Sequence, residues 1–76
     1  MPPKLPYVSG QEAIRALERL GFTRIRQQGS HVVLKKQTSG GEVGCVVPLH
    51  AELAIGTLRG ILRQASVTAE EFIAEL

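Results

Sequence analysis

The 76-residue sequence contains no aspartate and only one cysteine, and no apolar run comes near the ~18 residues that a membrane-spanning helix requires. Each shortage removes a class of chemistry. Cys45 has no partner for an internal disulfide and no second thiolate at metal-ligand spacing. It lies in an apolar stretch, where a thiol is generally inert as a nucleophile. With no aspartate, any metal-binding carboxylate must be a glutamate. None stands at helical spacing from a histidine, and Glu52 follows His50 only within a loop-like stretch. No metal site is therefore expected. Gly40-Gly41 lacks the strand-to-helix setting and the lysine of a phosphate-binding loop. Met1 to Pro6 carries no apolar core of the signal-peptide kind. Together these features lead us to expect a cytoplasmic protein with no membrane partner.

Hydrophobic residues make up 43% of the chain and charged residues 21%, which fits one soluble globular domain over residues 1–76. A chain this short buries only roughly 60–65% of the surface its unfolded form exposes. One thin two-layer core is expected, with any site on the surface and no large cofactor. The net charge is only +2, but it is unevenly placed. From Arg19 to Lys36 there are five basic residues (Arg19, Arg24, Arg26, Lys35 and Lys36) and no acid, while Glu70, Glu71 and Glu75 gather near the end. That pattern suggests an anionic partner for the basic segment. Ordinary solvated surface charge is the plain alternative.

Residues 1–8 hold three of the four prolines and read as an irregular arm. Ser9-Gly10-Gln11-Glu12 forms a capping box, with Val8 placed to staple against Ala13 or Ile14. Ala13, Ile14, Leu17 and Leu20 follow at helical spacing, and Gly21 supplies a C-terminal stop. A helix is predicted over about 10–20. Phe22 to Gln28 alternates as a strand, and Gln28-Gly29 is read as a two-residue turn into a second strand. This turn would set Arg26 opposite His31 and Ile25 opposite Val32. Ile25, Val32 and Leu34 would then share a core face, while Arg24, Arg26, His31, Val33 and Lys35 share an open, basic face. Residues 37–42 have loop chemistry, and Val43 to Pro48 reads as a third strand with Cys45 as a packing residue. Ile55, Leu58, Ile61, Leu62 and Ala65 mark a second helix starting between 54 and 57. On it Gly56 and Gly60 share a face that could admit another backbone, or they are simply tolerated small residues. Thr68-Ala69-Glu70-Glu71 is another capping box, opening a short last helix. The order implies an α+β two-layer sandwich, its helices covering one sheet face and leaving the other wet.

Two histidines remain as candidates for chemistry. An imidazole can give or take a proton at neutral pH. RNA carries its own nucleophile in the 2′-hydroxyl. Its cleavage needs a base, an acid and cations that offset phosphoryl charge. His31, beside arginine and lysine, meets those needs without metal. His50, in Val47-Pro48-Leu49-His50, could supply the complementary acid if the fold brings it close. The plain alternatives are a polar residue at a strand start for His31 and an exposed loop histidine for His50. Ser30 has no local base except its neighbour His31, and adjacent strand residues point to opposite faces, so a serine nucleophile is not favoured.

Several pieces together carry a family resemblance. They are Leu5-Pro6 before Val8-Ser9-Gly10, Leu20-Gly21-Phe22, Gln28-Gly29-Ser30-His31 and Val47-Pro48-Leu49-His50. Gly56-Thr57-Leu58-Arg59, Ile61 to Ala65 and Glu71-Phe72 follow in order. The chain resembles the HicA toxin family of small mRNA interferases, also called YcfA-like proteins. The resemblance covers nearly the whole chain. It implies a double-stranded-RNA-binding-domain-like α-β-β-β-α fold and metal-independent endoribonuclease activity on messenger RNA. It further implies a catalytic histidine at His31, a HicB-type antitoxin partner and a role in growth arrest under stress. Arg24, Arg26, Lys35 and Lys36 as RNA contacts follow instead from register and charge, and Gly29 and Ser30 as turn residues follow from their chemistry. The start of the second helix lacks the lysine cluster with which double-stranded-RNA-binding domains grip phosphates. The fold alone therefore gives no argument for shape recognition of a duplex. Other readings of the same basic face are a non-catalytic RNA-binding module and a protein-interaction domain.

Overall fold

A computed structural model describes residues 4–76. The part of the expected arm at positions 1–3 lies outside the described residues. The elements run α1 (Gly10–Arg19), β1 (Thr23–Gln28), β2 (His31–Thr38), β3 (Gly41–Pro48), α2 (Ile55–Ala65) and α3 (Ala69–Ala74). This is the expected α-β-β-β-α order with a short final helix.

Both capping boxes form. Ser9 Oγ accepts from the Glu12 N–H at 3.0 Å, and the Ser9 N–H donates to the Glu12 carboxylate at 2.9 Å. Thr68 and Glu71 repeat the arrangement at 3.1 and 2.9 Å. The three strands form one antiparallel sheet in the order β1-β2-β3. Val32 and Leu34 of β2 and Cys45 and Val47 of β3 turn to the helices. They join Ile14 and Leu17 of α1, Leu58, Ile61 and Leu62 of α2, and Phe72 of α3 in one core. Leu5 and Val8 of the arm also enter that core, and the Val8 carbonyl accepts from the Leu53 N–H at 2.8 Å. Both long helices pack against β3, whereas every residue of β1 is exposed.

The β1–β2 register differs from the expected one. The turn residues are Gly29 and Ser30, not Gln28 and Gly29, so Gln28 stands opposite His31 and Arg26 opposite Val33. Gly29 adopts φ +57°, at the first central position of a two-residue hairpin turn, where a type II′ turn requires positive φ. The side chain of Gln27 braces this turn by donating to the Gly29 carbonyl at 2.9 Å. A bulge between Arg24 and Arg26 then absorbs Ile25, which is 52% exposed and is not a core residue. The physical reason is that β1 buries neither face. A strand with no apolar side to hide does not fix its own register, and the turn glycine sets it instead.

One loop is shorter than expected. β2 and β3 extend to a tight turn at Ser39-Gly40, since residues 37–42 pair across the ladder as Gln37 with Glu42 and Thr38 with Gly41. On α2, a Cβ at Gly56 or Gly60 would meet nothing within 4 Å, so no backbone among the described residues approaches that face.

Candidate active site at the end of the sheet

His31 opens β2, exposed, between two neighbours that hold its backbone in place. On one side it pairs with Gln28 of β1, on the other with Pro48 of β3. One step back along the chain, the Ser30 carbonyl accepts from the Leu49 N–H at 2.7 Å, which continues the ladder past the strand end. One step further, the His50 carbonyl accepts from the Gly10 N–H at 2.9 Å. The hairpin turn, the end of β3 and the start of α1 therefore meet at one corner. His31 and His50 both stand at that corner, and both are exposed.

Gly10 makes this junction possible. A Cβ there would overlap the Pro48 carbonyl oxygen and lie 3.0 Å from Leu49 Cα. Only a residue without a side chain lets the first turn of α1 sit directly on the end of β3. Reading the capping box from sequence left this residue without a role. The available signal was a glycine at the first position of a helix, where no positive φ calls for one.

The cations do not all gather around His31. Arg26 does lie on its face, two positions along β1 and opposite Val33. Lys35 shares that face but is tied to Glu42 at 3.2 Å, and Glu42 also accepts from Gln37 at 2.9 Å. Arg24 stands opposite the core residue Leu34, which puts it on the helix side of the sheet, and there it pairs with Glu18 of α1 at 3.4 Å. Lys36 stands opposite Val43, also on the helix side, with its Nζ 5.8 Å from the centre of the Phe22 ring. The expected open face carrying both Arg24 and Arg26 beside His31 is thus corrected. The two arginines lie on opposite faces because the bulge at Ile25 shifts the alternation between them. Arg19 is also engaged, since its Nη1 donates to the Glu75 carbonyl at 2.7 Å. Of the five cations in the basic segment, Arg26 alone has no ion pair, hydrogen bond or ring contact among the described residues.

Cys45 is buried among aliphatic side chains, and burial pushes its thiol up to about 11. It is a packing residue, as its apolar setting suggested. Among the described residues, no three His, Cys, Asp or Glu side chains are grouped to hold a metal ion. No helix there is long and apolar enough to cross a membrane.

The corner carries two exposed histidines, and Arg26, without a partner among the described residues, lies on the same sheet face as His31. No curated protein matches the chain closely enough to count as a relative. The family model described as the HicA toxin of bacterial toxin-antitoxin systems matches residues 10–67. That span runs from the glycine that seats α1 on β3 to the end of α2 and includes both histidines. The chain belongs to the HicA toxin family.

Proposed function

We propose that this toxin is a metal-independent endoribonuclease that cleaves messenger RNA in the cytoplasm, with His31 moving the proton. The observation that carries the reading is the corner itself. An exposed histidine is held on both sides by strand pairing, and Arg26 on the same face has no competing partner among the described residues.

In this reading a single RNA strand lies over the open face of the sheet. One imidazole removes the 2′-hydroxyl proton, and the 2′-oxygen attacks the adjacent phosphorus. The bond from phosphorus to the 5′-oxygen breaks, and that oxygen leaves with a proton from a general acid. The products are a 2′,3′-cyclic phosphate and a 5′-hydroxyl. His31 takes one of these proton transfers, and His50 is the candidate for the other. Arg26 offsets charge on the phosphoryl oxygens, and Lys35 contributes further along the strand. Arg24 and Lys36 lie on the helix side and contact RNA only where it passes round the β1 edge. Gly29 and Ser30 hold the turn that presents His31. Family membership implies a cognate antitoxin. A HicB-type protein that covers this corner would silence the enzyme.

The test is cleavage of labelled RNA in the presence of a chelator by the parent, His31→Ala, Arg26→Ala and Arg24→Ala proteins. His31→Ala should melt like the parent and lose about 10²-fold or more in rate, the scale of one positioned acid or base. Arg26→Ala should slow cleavage more than Arg24→Ala. Parental cleavage by His31→Ala would refute the mechanism. Tight binding by the parent without any cleavage would leave an RNA-binding module in its place.

A further inference from the structure

A second surface lies on the helix layer, away from the open sheet face that carries His31. A groove of about 470 Å³ runs between the N-terminal arm and the α2–α3 corner, lined by Lys4, Leu5, Arg59, Leu62, Arg63, Val67 and Ala69. No sheet residue contributes to it. The floor is aliphatic: Leu5 and Leu62 belong to the core and are nearly buried, so the partly buried Val67 and Ala69 supply the apolar surface left to cover. The rim holds three cations: Lys4 from the arm and Arg59 and Arg63 one helical turn apart on α2. No acid lines the groove, and neither ion pair among the described residues involves these three cations.

The chemistry of this groove selects its occupant. A small anion needs desolvated hydrogen-bond donors, and the chain buries no polar or charged side chain among the described residues. Binding must therefore come from covering the aliphatic floor while charges are met at the rim. Single-stranded RNA gains its sequence-tolerant affinity from aromatic stacking platforms, and no aromatic side chain lines this groove. A polypeptide with aliphatic side chains flanked by carboxylates matches both the floor and the rim. Such a segment also fits a familiar mode of recognition, an amphipathic helix laid into an apolar groove.

We infer that this groove is a docking site for an acidic, amphipathic segment of a partner protein. The site is separate from the histidine corner and does not depend on the cleavage reading. A partner seated there leaves the open sheet face uncovered. Docking through this groove and blocking of His31 are then two separable contacts, and a protein making both gains effective concentration at the second from the first.

The probe is a fluorescent synthetic helical peptide with leucines along one face and glutamates beside them, titrated by anisotropy at low salt. A version with glutamine in place of glutamate and a single-stranded RNA oligonucleotide serve as comparisons. The parent should bind the acidic peptide saturably, and the neutral version at least tenfold more weakly. The double variant Arg59→Gln/Arg63→Gln should lose tenfold or more in peptide affinity while melting like the parent, and His31→Ala should bind the peptide as the parent does. Three outcomes would overturn the inference: no saturable peptide binding, equal binding by the double variant, or a loss of RNA binding alone in that variant. The last would make the groove an RNA contact. Failure of His31→Ala to lose cleavage would overturn the enzymatic reading and leave this one standing.

Discussion

Gly10 is the residue on which the corner depends most directly, and it touches no substrate in any reading given above. A methyl group at this position must displace the Pro48 carbonyl or the first turn of α1. Overpacking of this kind typically costs about 1–3 kcal/mol. Gly10→Ala is expected to lower stability in urea melts by that amount. It should also reduce RNA cleavage under conditions where the protein remains folded, because Pro48 to His50 must move. Gly60→Ala is the control, since it faces open space inside α2. There the substitution should stabilise by up to ~1 kcal/mol through helix propensity alone. Two glycines of one chain thus respond with opposite signs, and only spatial neighbours distinguish them. Cys45 is the contrasting case. Its apolar neighbours in sequence already marked it as inert, and burial confirms this by holding the thiol far above neutrality.

At the scale of elements, helices were more legible than strands. Each long helix has an apolar stripe that must be buried, and α1 and α3 each open with a capping box that states its own start. Those boxes also carry a pH dependence. The carboxyls of Glu12 and Glu71 titrate below the ordinary 4.5, chiefly because the backbone N–H groups of Ser9 and Thr68 donate to the charged form. A carboxyl whose pKa is depressed by folding adds stability above its unfolded value and loses it as pH falls through the folded one. Urea midpoints should therefore decline as pH drops below about 4.5, and Glu12→Gln/Glu71→Gln should flatten part of that decline. The hairpin was less legible. Its histidine and turn glycine were evident from sequence, but the turn sits one residue further along, which puts the pairing two residues out beside it and one beyond the bulge. The alternation in β2 was real, since Val32 and Leu34 are buried. The alternation in β1 signified nothing, because no helix covers that strand, and Ile25 could leave the ladder without exposing a core.

At the scale of the whole molecule, the chain folds into a slab measuring 30 × 29 × 18 Å, with helices on one side and the open sheet on the other. Charge was the property the linear sequence represented least well. A window of five cations without an acid looked strongly positive, yet folding brings partners from outside the window. Glu18 comes from α1, Glu42 from β3 and the Glu75 carbonyl from beyond α3. The exposed ion pairs are individually weak, on the order of 0.2–1 kcal/mol. Together with Arg19 on the Glu75 carbonyl and Lys36 over the Phe22 ring, they leave Arg26 as the one cation of that window without a partner among the described residues.

On the proposed function, this placement of the cations sets how strongly RNA binding should respond to ionic strength. For a single strand, each phosphate neutralised by a protein cation contributes about −0.7 to the slope of log K against log salt. Five engaged cations would give a slope near −3.5 by that rule, whereas Arg26 alone or with Lys35 gives roughly −0.7 to −1.4. Measured with the His31→Ala protein, so that the strand stays whole, the shallow slope is the expected result. A slope steeper than about −3 would mean that the pairs with Glu18 and Glu42 open, or that cations of the helix layer join the contact. A shallow slope has a further consequence: such a protein releases few counterions on binding. Its hold on RNA would then change little with the salt conditions around it, and its selectivity must come from the shape of the corner rather than from charge.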